Sequence, residues 1–205
     1  MAMASTDELR ITGGKVARRR EAKIATIVEA AWKLSNEEGV AALSLHGLAR
    51  KVGMRQPSLY EYFDSKNALY DAMFADGNRQ LLDRLETTTF PRDPRAALKK
   101  YLSTFLAFAL EDPARCELLF QRHIPGVTPS ADSYTRAEQV LDHLHKMAWN
   151  AGVTDHGDLD CLVAITAGLL EAQLANDPKG NRWTRHLNHL VDLLVDDITL
   201  RRSRQ

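Results

Sequence analysis

The chain has 205 residues, with 27 basic and 27 acidic side chains, a formal net charge of zero and 44% hydrophobic residues. This composition is that of an ordinary globular protein, and it excludes wholesale disorder, a collagen-like repeat and a coiled-coil rod. The longest nearly uncharged run, residues 161–170, is shorter than the ~20 residues of a membrane-spanning helix, so no membrane partner is expected. The N-terminus lacks the basic and apolar regions of a secretory signal, which predicts a cytoplasmic protein.

The first third of the chain opens with a long helix and a short one, as apolar residues at helical spacing indicate. The long helix is predicted over residues 18–38, where Gly39 ends it, and residues 1–17 are predicted as a flexible arm. Ser44 stands where its side-chain oxygen can cap the short second helix, which Gly53 closes. Both helices therefore end at a glycine that allows the chain to turn.

A third short helix and a long connecting helix follow. Pro57 favours a helix start, because its missing N–H has no partner in a first turn, and the third helix is predicted over residues 57–63. Asp64 or Ser65 then caps a fourth helix, which is predicted over residues 66–88 and connects to the rest of the chain.

Two prolines within residues 90–94 interrupt the helical pattern and mark the boundary to a larger C-terminal part. Helical spacing resumes beyond them, and no segment is typical of a strand, a phosphate-binding loop or a repeat. The fold class is therefore predicted as all-α, with about nine helices. The C-terminal helices are predicted around residues 98–109, 113–120, 131–151, 155–175 and 183–200.

Two short helices joined by a glycine-containing turn and preceded by a longer helix follow the helix-turn-helix plan. Residues 10–66 carry eleven basic and six acidic side chains, while the rest of the chain is net acidic. This asymmetry favours an anionic partner such as DNA at one end, although a solvated basic helix face is the alternative. The sequence thus predicts a DNA-binding domain over residues 18–66 and a second domain over residues 67–205.

The third helix is predicted to enter the DNA major groove. At about 100° per residue, Ser58 and Tyr62 share an outward sector, while Tyr60 lies on the opposite edge, where its hydroxyl can reach a phosphate. Arg55 and Gln56 precede this helix and have the donor patterns that suit guanine and adenine edges.

The stretch GLARKVGMRQPSLYEYFDSKNALYDAM, residues 47–73, resembles the DNA-binding signature of the tetracycline-repressor (TetR) family of bacterial transcriptional regulators. The resemblance covers about residues 20–73. The matching positions are Ser44, Leu48-Ala49, Val52-Gly53, Pro57, Ser58, Leu59-Tyr60, Phe63, Ser65-Lys66 and Ala68-Leu69.

The resemblance implies roles for individual residues near the DNA. Tyr60 and Lys66 would bind backbone phosphate, and Glu61 departs from the family pattern, in which a neutral or basic residue is common. The run of residues 18–20 resembles the family's basic arm, and both DNA contact and a charged helix start remain open for it. The full predicted DNA-binding set is Ser44, Arg55, Gln56, Pro57, Ser58, Tyr60, Tyr62 and Lys66.

The resemblance also implies a C-terminal bundle that binds a small molecule and pairs with a second subunit. The expected function is a ligand-responsive repressor that binds a near-palindromic double-stranded DNA operator as a homodimer, and neither catalysis nor a cofactor is expected. The alternatives are a regulator controlled by a protein partner, an activator, or a small all-α metalloenzyme. The predicted dimer residues are Ala164, Gly168, Leu187, Leu190 and Leu194.

Aromatic residues at helical spacing in the C-terminal part indicate either a ligand cavity or ordinary core. His186 and His189 lie one turn apart without a convergent third ligand, so no metal site is predicted. The candidate ligand-binding residues are Phe105, Phe108, Phe120, Met147 and Trp149, with Gln173 as the polar group that would orient the ligand.

Overall fold

The computed structural model describes residues 6–121, 124 and 126–204, with side-chain placement from residue 15 onward. Its described part contains nine α-helices and no strand, which confirms the all-α prediction. None of the described helices is long and apolar enough to cross a membrane. The helices are α1 Thr6–Glu38, α2 Leu45–Lys51, α3 Gln56–Tyr60, α4 Lys66–Thr87, α5 Pro94–Glu111, α6 Pro113–Cys116, α7 Ala131–Asn150, α8 His156–Asn176 and α9 Leu187–Ser203.

Side-chain caps fix several helix starts, as the sequence predicts. The Ser44 hydroxyl oxygen accepts the N–H of Gly47 at the start of α2. Ser65, rather than Asp64, caps α4 by accepting the N–H of Ala68. Each such cap stabilises its helix by about 1 kcal/mol, because it satisfies an N–H that has no partner within the helix.

Two helix bounds differ from the prediction. Helix α1 begins at Thr6, inside the segment 1–17 that was expected to be a flexible arm, and residues 1–5 of that arm lie outside the described residues. The two glycines at positions 13 and 14 lower helix propensity by about 1 kcal/mol each, yet no proline blocks the helix there. At its other end α1 stops at Glu38, and Gly39 follows with φ of 90°.

Helix α3 ends at Tyr60 instead of reaching Phe63. The reason lies in the next cap, since Ser65 needs an extended backbone, with φ of −152° and ψ of 165°, to start α4. The chain must therefore leave the helical conformation within a few residues after Tyr60. Phe63 is nevertheless buried, as the periodicity predicts.

The buried side chains form an N-terminal core and a C-terminal core. Helix α4 runs through both, because its first half contributes Leu69 and Met73 to the N-terminal core and its second half contributes Leu81 and Leu85 to the C-terminal core. Complete burial of one such side chain contributes about 1.5–3 kcal/mol. Helix α4 is thus held at both ends and connects the two parts rigidly.

The short α6 and the π-helical turn after it also touch both cores. Ala114 and Leu118 pack in the N-terminal core, whereas Leu119 packs in the C-terminal core. The π-helical turn spans Glu117–Gln121. Neighbouring side chains of one turn therefore serve different cores.

Candidate DNA-binding surface and C-terminal cavity

Helix α3 is anchored by one side chain and presents the others outward. Leu59 is fully buried and fixes the helix on the N-terminal core. Arg55, Gln56 and Pro57 are exposed at its N-terminal end, and Ser58 is half-buried. The predicted groove-facing residues at this end therefore share one accessible surface.

Gln56 has a partner that the sequence analysis missed. The Nδ1 atom of His46, an exposed residue on α2, lies 3.3 Å from Oε1 of Gln56. An amide oxygen only accepts, so the imidazole donates its Nδ1–H, and the amide NH2 of Gln56 remains available as a donor. His46 thus orients the side chain that was predicted to contact a base, and the ten-residue separation gives no local sequence signal for this pair.

Arg20 connects α1 to the residues that follow α3. Its Nη2 donates to the backbone carbonyl of Glu61 at 3.1 Å, and its guanidinium carbon lies 5.6 Å from the ring centroid of Tyr62. Tyr62 is half-buried and packs against the N-terminal core, while Tyr60 is 46% exposed. Arg20 therefore fixes the backbone at Glu61, the position that departs from the family pattern.

Lys66 lies at the N-terminus of α4, where exposed N–H groups and the helix dipole favour an anion. Its ammonium donates to the carbonyl of Ala41 at 2.9 Å and lies 5.2 Å from the ring centroid of Tyr70. An ammonium has three N–H donors, so this bond leaves capacity for a phosphate oxygen.

A cavity of about 470 Å³ lies between α4, α5, the π-helical turn, α7 and α8. Its wall is mostly apolar and includes five aromatic rings. Phe105 and Phe120 meet edge to face with centroids 4.9 Å apart, and Phe74 stacks with Tyr134 at 6.2 Å. The aromatic and polar side chains of the wall are Phe74, Asn78, Tyr101, Phe105, Phe120, Gln121, Tyr134, Thr166 and Glu171.

Of the six candidate ligand residues, only Phe105 and Phe120 line this cavity. Phe108 is buried under the guanidinium of Arg115, whose central carbon lies 3.8 Å from its ring centroid. Met147 packs against the C-terminal core, and Trp149 is 63% exposed on the surface of α7. Three of the aromatic and apolar predictions therefore fall on core or surface outside the cavity.

Gln173 is fully buried but does not face a ligand. Its Oε1 accepts the backbone N–H groups of Trp183 and Thr184 at 2.9 and 3.2 Å, and its Nε2 donates to the carbonyl of Asp177. The side chain thus ties the end of α8 to the start of the last helical segment. The sequence identified a buried polar group correctly but assigned it the wrong role.

The outer face of α8 and α9 contains most of the predicted dimer residues. Ala164 and Gly168 are exposed on α8, and a Cβ added at Gly168 would meet nothing within 4 Å. Leu190 and Leu194 are half-buried against the subunit's own core. Leu187 is 3% exposed and belongs to that core, which corrects its prediction as a dimer residue.

Two apolar side chains on α9 were not predicted and are exposed. Leu193 is 53% exposed and Leu200 is 56% exposed. They lie on one side of α9, each about one turn from Asp196, and form an apolar strip that their own subunit leaves uncovered. The apolar periodicity of the sequence predicts this helix, but the predicted dimer residues Leu190 and Leu194 are less exposed than Leu193 and Leu200.

Comparison with known proteins identifies this architecture. Residues 27–73 match the family described as bacterial regulatory proteins, tetR family. The tetracycline repressor protein class C of Escherichia coli is 30% identical over 164 residues, covering 78% of this chain and 68% of the relative. The chain belongs to the TetR family of transcriptional regulators.

Further comparisons agree with this membership. An uncharacterized HTH-type transcriptional regulator of Bacillus subtilis, YobS, is 30% identical over 91 residues, covering 44% of this chain and about half of that relative, 48%. A crystal structure of the regulatory protein SCO4313 has a TM-score of 0.65 at 24% identity and covers 89% of this chain and 97% of its own. A crystal structure of BioQ with its double-stranded DNA operator has a TM-score of 0.61 at 19% identity, covering 84% and 98%. These two structures establish the shared fold.

In this TetR-family regulator, the part of the chain that the structure describes holds no group of three His, Cys, Asp or Glu side chains close enough to share a metal ion. The relatives named above are transcription regulators rather than enzymes.

Proposed function

We propose that this TetR-family regulator is a repressor that binds a near-palindromic operator as a homodimer and is released when a small molecule enters the C-terminal cavity. Residues 18–66 would form the DNA-binding domain and residues 67–205 the ligand-binding and dimerisation domain. The observation that carries the proposal is the π-helical turn, because Leu118 packs in the N-terminal core while Leu119 and Phe120 line the cavity. A molecule in the cavity would therefore press on a segment that also supports the DNA-binding domain.

The DNA contacts are proposed to divide into two kinds. Tyr60 and Lys66 would hold backbone phosphate, which positions the protein without reading sequence. The base-facing side chains would lie on α3 and on the residues directly before and after it, where an Arg suits guanine and a Gln suits adenine. The proposed base-facing set is Arg55, Gln56, Pro57, Ser58 and Tyr62, with Ser44 at the start of α2 beside them. The relative BioQ, whose crystal structure contains its double-stranded DNA operator, supports this use of the fold.

The coupling between cavity and DNA is proposed to run through a tight contact. A Cβ added at Gly77 of α4 would lie 2.9 Å from Cδ1 of Leu119, so Leu119 packs directly on the backbone of α4. Packed interiors transmit displacement because they contain little free volume. A shift of the π-helical turn would therefore move α4, which carries Lys66 at its other end.

The dimer is proposed to form through the outer faces of α8 and α9. Small residues at Ala164 and Gly168 allow another helix to approach closely, and Leu193 and Leu200 supply apolar area. A two-fold dimer would present two α3 helices about one DNA turn (~34 Å) or more apart, which matches an operator with two-fold symmetry.

A displacement experiment tests this function. A metabolite library is first screened by thermal shift, and each stabilising compound is then added to the complex of the protein with fluorescently labelled operator. We expect at least one compound that raises Tm to lower the anisotropy of the DNA. If compounds that occupy the cavity all leave DNA affinity unchanged, the proposal that a small molecule releases the repressor is wrong. Control by a protein partner then becomes the better explanation.

A further inference from the structure

We infer that the effector is a lipophilic cation: an apolar, largely aromatic molecule that carries one positively charged nitrogen close to Glu171. The inference rests on the proposed function only in treating the cavity as the effector site. It goes beyond that function by naming the charge that the cavity selects.

The first observation is the charge of the cavity wall. Among the nineteen described residues that line it, the one charged side chain is Glu171, and the wall contains no Lys, Arg or His. This carboxylate is exposed at the rim of the cavity, where it would repel an anionic ligand and attract a cation. Residues 122 and 123 lie outside the described residues, so the experiment below tests the sign of the charge directly.

The second observation is the position of the carboxylate. Oε1 of Glu171 on α8 accepts the Nε2–H of Gln121 from the π-helical turn at 2.6 Å, and both residues line the cavity. A carboxylate has about four lone-pair sites, so this bond leaves acceptor capacity for a ligand N–H or a charged nitrogen. The anion is therefore tethered at the edge of the cavity beside the segment that couples to the DNA-binding domain.

The third observation is the hydrogen-bonding state of two hydroxyl groups in the wall. The Tyr101 hydroxyl donates to the carbonyl of Val140 at 2.9 Å, and the Thr166 hydroxyl donates to the carbonyl of Leu162 at 2.8 Å. Because each hydroxyl has one hydrogen, only acceptor lone pairs remain on these two oxygens. Burial also raises the pKa of Tyr101, which keeps its phenol neutral. Both hydroxyls thus favour a ligand that donates.

The aromatic rings act in the same direction. Phe74, Phe105, Phe120 and Tyr134 surround the cavity, and the faces of such rings carry negative electrostatic potential. A cation within about 6 Å of a ring centroid is stabilised by this potential, more strongly where water is excluded. The wall therefore combines apolar area with three separate features that attract positive charge.

The test compares two ions of equal size and opposite charge on the full-length protein. Tetraphenylphosphonium and tetraphenylborate are titrated by calorimetry, with triphenylphosphine oxide as a neutral aromatic probe. We expect tetraphenylphosphonium to bind about tenfold or more tightly than either of the others, as one charge pair near a protein surface provides. Glu171→Gln should remove most of this preference, and Glu171→Lys should reverse it. The matched control is Glu86→Gln, which changes an exposed glutamate of α4 outside the cavity wall and should leave the preference intact.

Failure of this inference and failure of the proposed function give different results. Three results would overturn the inference that the effector is a lipophilic cation. They are equal or tighter binding of tetraphenylborate, no binding of either ion, and an unchanged preference in a folded Glu171→Gln variant. If a neutral compound releases operator DNA while tetraphenylphosphonium binds no more tightly than the neutral probe, the repressor mechanism is supported and the charge preference is wrong. If tetraphenylphosphonium binds through Glu171 but leaves the DNA bound, the charge preference is supported and the release mechanism is contradicted.

Discussion

Glu61 is the residue whose place on a DNA-binding surface needs an explanation, since an acid near phosphates is unfavourable. The structure places the guanidinium of Arg20 at its carbonyl oxygen and over the neighbouring ring of Tyr62. Arg20 therefore fixes the backbone at Glu61, and it does so from α1 rather than from within α3. The sequence alone left the role of Arg20 open, because the contact joins residues 41 positions apart.

Replacement of Glu61 tests whether this acid opposes DNA binding. Glu61→Gln removes one negative charge near the phosphates, so we expect operator affinity to rise about two- to fivefold at low salt, with a smaller gain at higher salt. Fluorescence anisotropy at two salt concentrations measures this. Weaker binding that is confined to operators with a particular base pair would show instead that the carboxylate accepts a hydrogen bond from a base.

Tyr60 and Gln56 should respond differently to substitution. Tyr60→Phe removes a hydroxyl that is proposed to bind phosphate, and we expect a roughly threefold to tenfold loss on every operator sequence. Gln56→Ala removes a base contact worth about 1–3 kcal/mol, so the loss should depend on the base at one position. His46→Ala should cause a smaller loss of affinity that depends on the same base, because without His46 the Gln56 amide is free to rotate. Gel shifts on a panel of single-base operator variants separate these outcomes, and wild-type behaviour of the first two variants would reject the assignment.

At the scale of single helices, the sequence predicted which segments are helical, because capping residues and glycines start and end a helix through contacts with residues nearby in the chain. Ser44, Ser65 and Gly39 each lie where the sequence places them. The roles of Gln173 and Leu187 were wrong, because each depends on which helix packs beside it, and spacing along one helix does not reveal its neighbour. The predicted end of α3 was wrong for a related reason, because the Ser65 cap of the next helix determines where α3 ends.

Helices α5 and α9 are joined by an ion cluster whose strength should depend on pH. Asp192 accepts from the ammonium of Lys99 at 2.6 Å and lies 3.4 Å from Arg95, and the hydrogen bond from Lys99 holds its pKa below the ordinary value. A carboxyl with a depressed pKa stabilises the fold above about pH 4, and that contribution is lost as pH falls through the folded-state pKa. Both side chains are partly exposed to solvent, so the contribution of the pair is at most about 1 kcal/mol.

Asp192→Asn tests this cluster. We expect Tm to fall by about 1–4 °C at pH 7, and the difference from the wild type to shrink as pH falls below about 4 and to vanish below the depressed folded-state pKa, where Asp192 itself is protonated. Calorimetric melting curves from pH 3 to 7 provide the measurement, with Asp142→Asn, an exposed acid on α7, as the control. A difference that persists unchanged at pH 3 would mean that Asp192 acts through packing rather than charge.

At the scale of the whole molecule, the exposed strip on α9 should hold two subunits together. Leu193→Glu introduces a charge into the proposed interface, and we expect a monomer by light scattering, together with a loss of operator affinity of at least about 100-fold because one α3 helix cannot span a two-fold site. Asn188→Glu, at an exposed position on another side of α9, should leave the dimer intact. A dimeric Leu193→Glu variant that binds the operator normally would place the interface elsewhere.

The charge asymmetry, the helix-turn-helix and the two cores joined by α4 support the proposal that the N-terminal end reads DNA, and the exposed strip on α9 supports the proposed two-fold dimer. Selection of bound sequences from a random DNA library by the full-length wild-type protein tests this most directly. We expect enrichment of a near-palindromic sequence whose half-sites lie about one helical turn or more apart, and Gln56→Ala should change the preferred base at symmetric positions of both halves. Enrichment of an asymmetric single site, or no enrichment over non-specific binding, would contradict a homodimeric operator-binding repressor.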